Sequence, residues 1–143
     1  MQIKTFSKKL LVSMDTIRFY EKEGLLQPKR LPNGYRDYDE PCEAQLKMIV
    51  VLKQLGFSLK EIEQLTQLKS QEITAECNET TVALFDEKSQ QLADKITFYK
   101  QAINTLQLIT QLMGNQQYES NQNQIEHSIN QLFDQLKAGV HDE

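Results

Sequence analysis

Long apolar runs are missing from this 143-residue chain. The longest, Met48 to Leu52, holds five residues, where a helix crossing a bilayer needs roughly 18 to 20. No membrane segment is expected. The amino-terminal stretch MQIKTFSKKLLVSMD offers only Leu10 to Val12 as an apolar core for a secretion signal and has no small-residue cleavage site, so a cytoplasmic protein is expected. Cysteine is scarce: Cys42 and Cys77 are the only two, with no framework spacing, which suits thiols in a reducing cytosol. Enzyme signatures are absent as well. There is no GxGxxG, P-loop, HExxH or CxxC, and His127 and His141 stand isolated near the tail, so no catalytic role is expected. The length fits one domain, or one small domain with an extension, and excludes a large multi-domain enzyme.

What is present is a charge asymmetry that the net charge of -4 conceals. Residues 1 to 57 carry ten Lys/Arg against seven Asp/Glu, whereas residues 58 to 143 carry six against thirteen. The first 36 residues alone hold eight basic and three acidic side chains, as expected of a segment that sits on phosphates. A solvated charged face would show the same balance.

Local signals divide the chain further. Thr5 is a candidate N-cap for a short helix, FSKKLL, with Phe6 and Leu10 on its apolar face. Ser13 can cap a second helix, MDTIRFYEKE, that Gly24 would end. Two short helices joined by a tight turn make a helix-turn-helix candidate. The segment PKRLPNGYRDY, Pro28 to Tyr38, then places Asn33-Gly34 between two short stretches, which predicts a type I′ hairpin with both turn residues at positive φ. Lys29, Arg30 and Arg36 beside Tyr35 and Tyr38 give that hairpin the character of a wing that pairs with phosphates. An ordinary surface hairpin with core tyrosines is the alternative. Asp39 is placed to cap a third helix, with Pro41 in its first turn and Gly56 at its end. Ser58 and Glu61 form a capping box for a fourth, with Leu59, Ile62, Leu65 and Leu68 on one side. Residues 69–77 read as a linker.

From Val82 the period changes. Val82, Phe85, Ser89, Leu92, Ile96, Tyr99, Ile103, Leu106, Thr110 and Met113 step by three and four, the seam of a coiled coil. Neither proline nor glycine occurs between Cys77 and Gly114, so one helix of roughly 50 Å is expected. A seam that long exceeds what a 70-residue module can cover, and a second copy of the chain is the expected partner; a hairpin with the tail is the alternative. Gly114 to Gln124 is polar and rich in Gln and Asn, a flexible link by composition. A final amphipathic helix is expected from Ile125 to Lys137, with Ile125, Ile129, Leu132, Phe133 and Leu136 on one face.

The order of these elements, together with TIRFYEKEGLL (Thr16 to Leu26), NGYRDYD (Asn33 to Asp39) and LGFSLKEI (Leu55 to Ile62), resembles the MerR-type transcription regulators over residues 1 to about 113. The resemblance implies a mainly α fold: a winged helix-turn-helix with a small β-hairpin wing, a long antiparallel dimerisation helix and a short C-terminal helix. The implied organisation is 1–70 for DNA binding, 71–113 for linker and dimerisation, and 114–143 as a possible effector region. It also implies a homodimer on a palindrome in promoter DNA, acting on RNA polymerase indirectly by distorting the spacer. Carried over by position, Arg18 matches the family's major-groove residue, Thr16 and Tyr20 match phosphate or base contacts, and Arg36 and Lys53 match phosphate contacts. Lys29, Arg30 and Tyr35 join them from charge and placement. Val82, Phe85, Leu92, Ile96, Tyr99, Ile103, Leu106 and Met113 form the implied dimer seam. The chain departs from the pattern at Leu11, where the turn usually has glycine, and at Asp15, an acid on the recognition helix. A coiled-coil architectural DNA binder or adaptor without an effector is the competing reading.

Cys77 is the candidate effector residue, because it resembles the first metal ligand of the metal sensors in this family. Residues 114–143 lack the further cysteines those sensors add, and a soft ion needs two to four thiolate or imidazole ligands. No metal or other cofactor is therefore expected. Val51 stands where the electrophile-sensing members have a cysteine. Cys42, beside Glu40 and Glu43, has the acidic neighbours that raise a thiol pKa. The small-molecule effector stays unidentified.

Overall fold

The computed structural model describes residues 1–67 and 75–139. Its helices are α1 (Ile3–Leu10), α2 (Met14–Lys22), α3 (Glu40–Gln54), α4 (Leu59–Gln67), α5 (Ala75–Met113) and α6 (Tyr118–Gly139). Strands β1 (Lys29–Arg30) and β2 (Arg36–Asp37) form the one hairpin among the described residues, and a 3-10 turn covers Gly114–Gln116. This is the mainly α architecture with a small hairpin that the sequence predicts. Contacts divide the chain into two units, Met1–Leu84 and Phe85–Glu143.

In the first unit, short helices are stabilised by caps and by one shared core. Helix α1 begins before Thr5, after an extended Gln2 that makes no side-chain cap. Thr5 is thus an interior residue and not the expected N-cap, because Ile3 also packs on the core. The helix ends at Leu11, which adopts φ 55° and ψ 37°, a left-handed conformation that favours glycine. Ser13 caps α2 as expected, its Oγ accepting from the Thr16 N–H at 3.1 Å. The Asp39 carboxylate likewise accepts from the Cys42 N–H at 3.2 Å and opens α3. At the start of α4 the capping box closes in both directions, with Ser58 N donating to Glu61 Oε1 at 2.8 Å and Glu61 N donating to Ser58 Oγ at 3.1 Å. Each such bond satisfies a backbone donor that the helix leaves open.

The hairpin pairs antiparallel, Lys29 with Asp37 and Arg30 with Arg36. Its turn differs from the type I′ expectation, since Gly34 has φ 86° but Asn33 is not at positive φ. Gly34 N donates to Leu31 O and Leu31 N to Tyr35 O, both at 2.9 Å, leaving Pro32, Asn33 and Gly34 as a three-residue loop closed by a left-handed glycine. Pro32 favours that geometry at the first corner. The Asn33 side chain accepts from the Tyr35 N–H at 3.1 Å and contributes by this bond and not by its own φ.

Phe6, Ile17, Tyr20, Leu25, Leu26, Tyr38, Cys42, Leu46, Ile49, Phe57 and Ile62 form the core. Phe6 and Tyr38 stack with ring centroids 4.9 Å apart, which joins α1 to the residue after β2. Leu84, on the first part of α5, packs against the same cluster. The expected linker at 69–77 lies partly outside the described residues, as does Leu68. From Ala75 onward the chain is already helical, so Cys77 occupies the first turn of α5.

In the second unit, α5 buries none of its residues fully. Helix α6 begins at Tyr118, so much of the expected flexible link 114–124 is ordered as the 3-10 turn and the first turns of α6. The chain reverses at Gln116, whose φ is 60°. Asn121 Nδ2 then donates to Leu112 O at 2.9 Å, tying the new helix back to the old one. Ile125 and Ser128 are buried. On α5, Phe98, Ala102, Thr105, Ile109 and Leu112 are half-buried at the alternating spacing of one helical face. The heptad seam is a different face. Val82, Phe85, Ile96, Tyr99, Ile103, Leu106 and Met113 are all exposed, while Leu92 is half-buried. The tail therefore folds back without covering the seam.

Candidate nucleic-acid interface

The N-terminal half of α2 presents its polar side chains outward because Ile17 and Tyr20 hold the opposite side in the core. Thr16 Oγ1 shares a 2.7 Å hydrogen bond with Ser13 Oγ. Arg18, two residues further on, lies exposed with Nη1 3.4 Å from Asp15 Oδ1. Tyr20, one of the expected contact residues, is instead a core residue, 8% exposed. Its ring is drawn inward because it follows Ile17 by three positions on the same helical face.

The wing is held to this helix by charge. Arg36 Nε donates to Glu21 Oε1 of α2, and the Tyr38 hydroxyl donates to the second oxygen of the same carboxylate at 3.3 Å. The hydrogen bond to Glu21 raises the Arg36 pKa above its ordinary value. Burial, and then the Glu21 charge, push the Tyr38 phenol up as well. Lys29 Nζ lies 3.2 Å from Asp39 Oδ2, and Arg30 Nη1 donates to Gly34 O at 3.3 Å across the turn. The Cys42 N–H, with Lys29 as a lesser contributor, holds Asp39 below the usual carboxylate range. Tyr35 projects from the wing, two-thirds exposed. Lys53 is exposed in the last turn of α3. Glu43, on the first turn of α3, receives Lys47 at 2.8 Å and Lys9 of α1 at 2.6 Å, and these bonds lower its pKa.

The arrangement thus unites Arg18 and Arg36 through helix α2, since the first projects from it and the second is bonded to it. Glu21 is the residue that reading the sequence underrated. Its place on the helical period was visible, but its partners lie 15 and 17 residues downstream and nothing local announces them. Cys42 is buried, and burial first, then Asp39, raises its thiol pKa to about 11. The direction agrees with expectation, but the cause is the core and not Glu40 or Glu43. Cys77 is half-buried. Among the described residues no three His, Cys, Asp or Glu side chains converge on a metal position, and no helix among them is long and apolar enough to cross a membrane.

Two family models match the chain: the MerR HTH family regulatory protein model over residues 1–69 and the MerR DNA-binding model over residues 43–109. The chain belongs to the MerR family. Matches to individual MerR relatives agree with this. Over 96 residues the chain is 34% identical to a mercuric resistance operon regulatory protein of Serratia marcescens, covering 66% of this chain and 64% of the relative. Over 68 residues it is 40% identical to the HTH-type transcriptional regulator HmrR of Rhizobium leguminosarum bv. viciae, covering 48% and 53%. The matches thus span less than two thirds of these curated relatives. The fold is similar to that of HiNmlR, a MerR family regulator lacking the sensor domain and solved bound to promoter DNA, with a TM-score of 0.67 at 23% identity over 90% of this chain and 94% of that one. The MerR models end at residue 109, before α6 begins.

Proposed function

We propose that this MerR-family chain is a dimeric, sequence-specific DNA-binding transcription regulator. The reading is carried by the joined pair of α2 and wing, in which an exposed Arg18 and a wing arginine bonded to the same helix form one cationic element. A recognition helix presents its N-terminal residues to base edges in the major groove, and phosphate contacts from a wing fix its register. Thr16, Arg18, Lys29, Arg30, Tyr35, Arg36 and Lys53 are the proposed contacts, and Tyr20 supports them from the core. Residues 1–70 would bind DNA, 71–113 would dimerise through the exposed seam of α5, and 114–143 would carry any response to an effector. The proposed target is a promoter palindrome, with RNA polymerase affected indirectly as the spacer is bent or untwisted.

The test is to incubate the purified protein with sheared genomic DNA at near-physiological salt and to sequence what stays bound. Recovery of one or a few palindromes inside promoters is expected, and Arg18→Ala should lose those sites while remaining a dimer. Recovery of DNA with no shared site would replace this reading with an architectural DNA binder or adaptor.

A further inference from the structure

Asp15 is a carboxylate where a DNA-facing helix should repel one. It sits at the second position of α2, its side chain 96% exposed, and its one partner among the described residues is Arg18 at 3.4 Å, itself 60% exposed. The core makes no use of it, and an exposed ion pair of this kind adds little to stability. Duplex DNA carries one negative charge per roughly 1.7 Å, so a bare carboxylate in the groove weakens binding unless a base donates to it. The major-groove donors are the amino groups of cytosine N4 and adenine N6. The neighbouring arginine decides between them. A guanidinium presents two parallel N–H groups, which the adjacent O6 and N7 acceptors of guanine match, and the next group along that same base-pair edge is cytosine N4. An A·T pair instead interposes its donor between two acceptors, so a forked donor with an acceptor at its side fits it poorly.

We propose that Asp15 is a specificity-determining residue which, together with Arg18, reads a G·C pair in each half-site. Arg18 donates to guanine O6 and N7, and Asp15 accepts from cytosine N4. Asp15 thereby adds a second direct contact to the pair that Arg18 reads and sharpens the discrimination against A·T, and it disfavours phosphates as alternative partners for the helix. The inference rests on the regulator reading above.

The experiment is binding-site selection from a randomised duplex library by the full-length wild type, Asp15→Ala and Asp15→Asn. Affinities for all four base pairs at each position of the recovered site are then measured at two salt concentrations. Both substitutions are at a solvent-exposed side chain, and circular dichroism checks that the variants fold. The wild type should prefer G·C at one position per half-site by about tenfold or more. Asp15→Ala should reduce that preference several-fold there and nowhere else, leaving the part that Arg18 supplies, and Asp15→Asn should reduce it less, since a neutral amide oxygen still accepts from cytosine N4 but more weakly than a carboxylate. If Asp15→Ala binds every sequence more tightly by one common factor with its preferences unchanged, the carboxylate only repels DNA and the inference is overturned. A wild type that selects no site overturns the regulator reading and this inference with it. Selected sites that lack an Asp15-dependent position overturn the inference alone.

Discussion

Arg36 of β2 is bonded through Nε to Glu21 of α2, and the same carboxylate accepts the Tyr38 hydroxyl. One acidic side chain therefore ties the hairpin to α2. Among the described residues only Nε of Arg36 is bonded, which leaves its Nη groups to a phosphate. The two residues should consequently fail in different ways. Arg36→Ala should weaken DNA binding and reduce the slope of log affinity against log salt by about one. Glu21→Ala should weaken binding by a few-fold with the slope unchanged, since it removes a brace and no phosphate contact. Titrations at several salt concentrations check this, and a reduced slope in Glu21→Ala would count against the bracing role.

The exposed seam of α5 carries the dimer prediction. Ile103 and Leu106 are 55% and 61% exposed, and α6 does not cover them. A Glu at either position keeps the helix but puts a charge in a coiled-coil seam. Ile103→Glu with Leu106→Glu should sediment as a folded monomer at micromolar concentration, where the wild type should sediment as a dimer. A double variant that stays dimeric would move the interface elsewhere.

Leu11 is a strained position with nothing to lose. It holds φ 55° with a side chain 91% exposed. A non-glycine residue in this region costs about 1–2 kcal/mol, partly offset by the greater chain entropy of glycine, about 0.5–1 kcal/mol. Leu11→Gly should stabilise the protein by about 0.5–1 kcal/mol, seen as a higher denaturation midpoint. An unchanged or lower midpoint would mean that the side chain packs in a way its exposure conceals.

The buried thiol predicts both reactivity and a pH window. Burial raises the Cys42 pKa from the ordinary 9.0 to about 11. In a Cys77→Ser variant, the remaining thiol should resist alkylation near pH 8 until denaturant is added. A pKa raised in the folded state favours folding while the unfolded thiol is still protonated, and that contribution disappears as pH rises through the folded value. Cys42 should therefore contribute fully below about pH 9 and lose its contribution between about 9 and 11. Urea midpoints at pH 8 and pH 10, compared between wild type and Cys42→Ala, isolate the effect; an equal pH dependence in both proteins would contradict it.

Much of the fold was legible because its signals are local. Ser13, Asp39 and the Ser58–Glu61 pair cap helices within three residues of themselves, and the seam from Val82 to Met113 repeats along one helix. These are properties of neighbouring residues, and the amino-acid sequence by itself determined them. Thr5 failed as a cap because Ile3 found a place on the core, and Asn33 did not take positive φ because Pro32 and Gly34 closed a longer loop. The Gln- and Asn-rich stretch after Gly114 became helical once Asn121 could bond to Leu112 across the reversal. Only the tertiary structure decided these points, together with the burial of Tyr20 and Cys42 and the pairing of Glu21 with Arg36. Apart from the turn, which Asn33's own neighbours closed, each depends on a contact between residues further apart in the chain, where packing and burial outweigh the weak preference of the local segment.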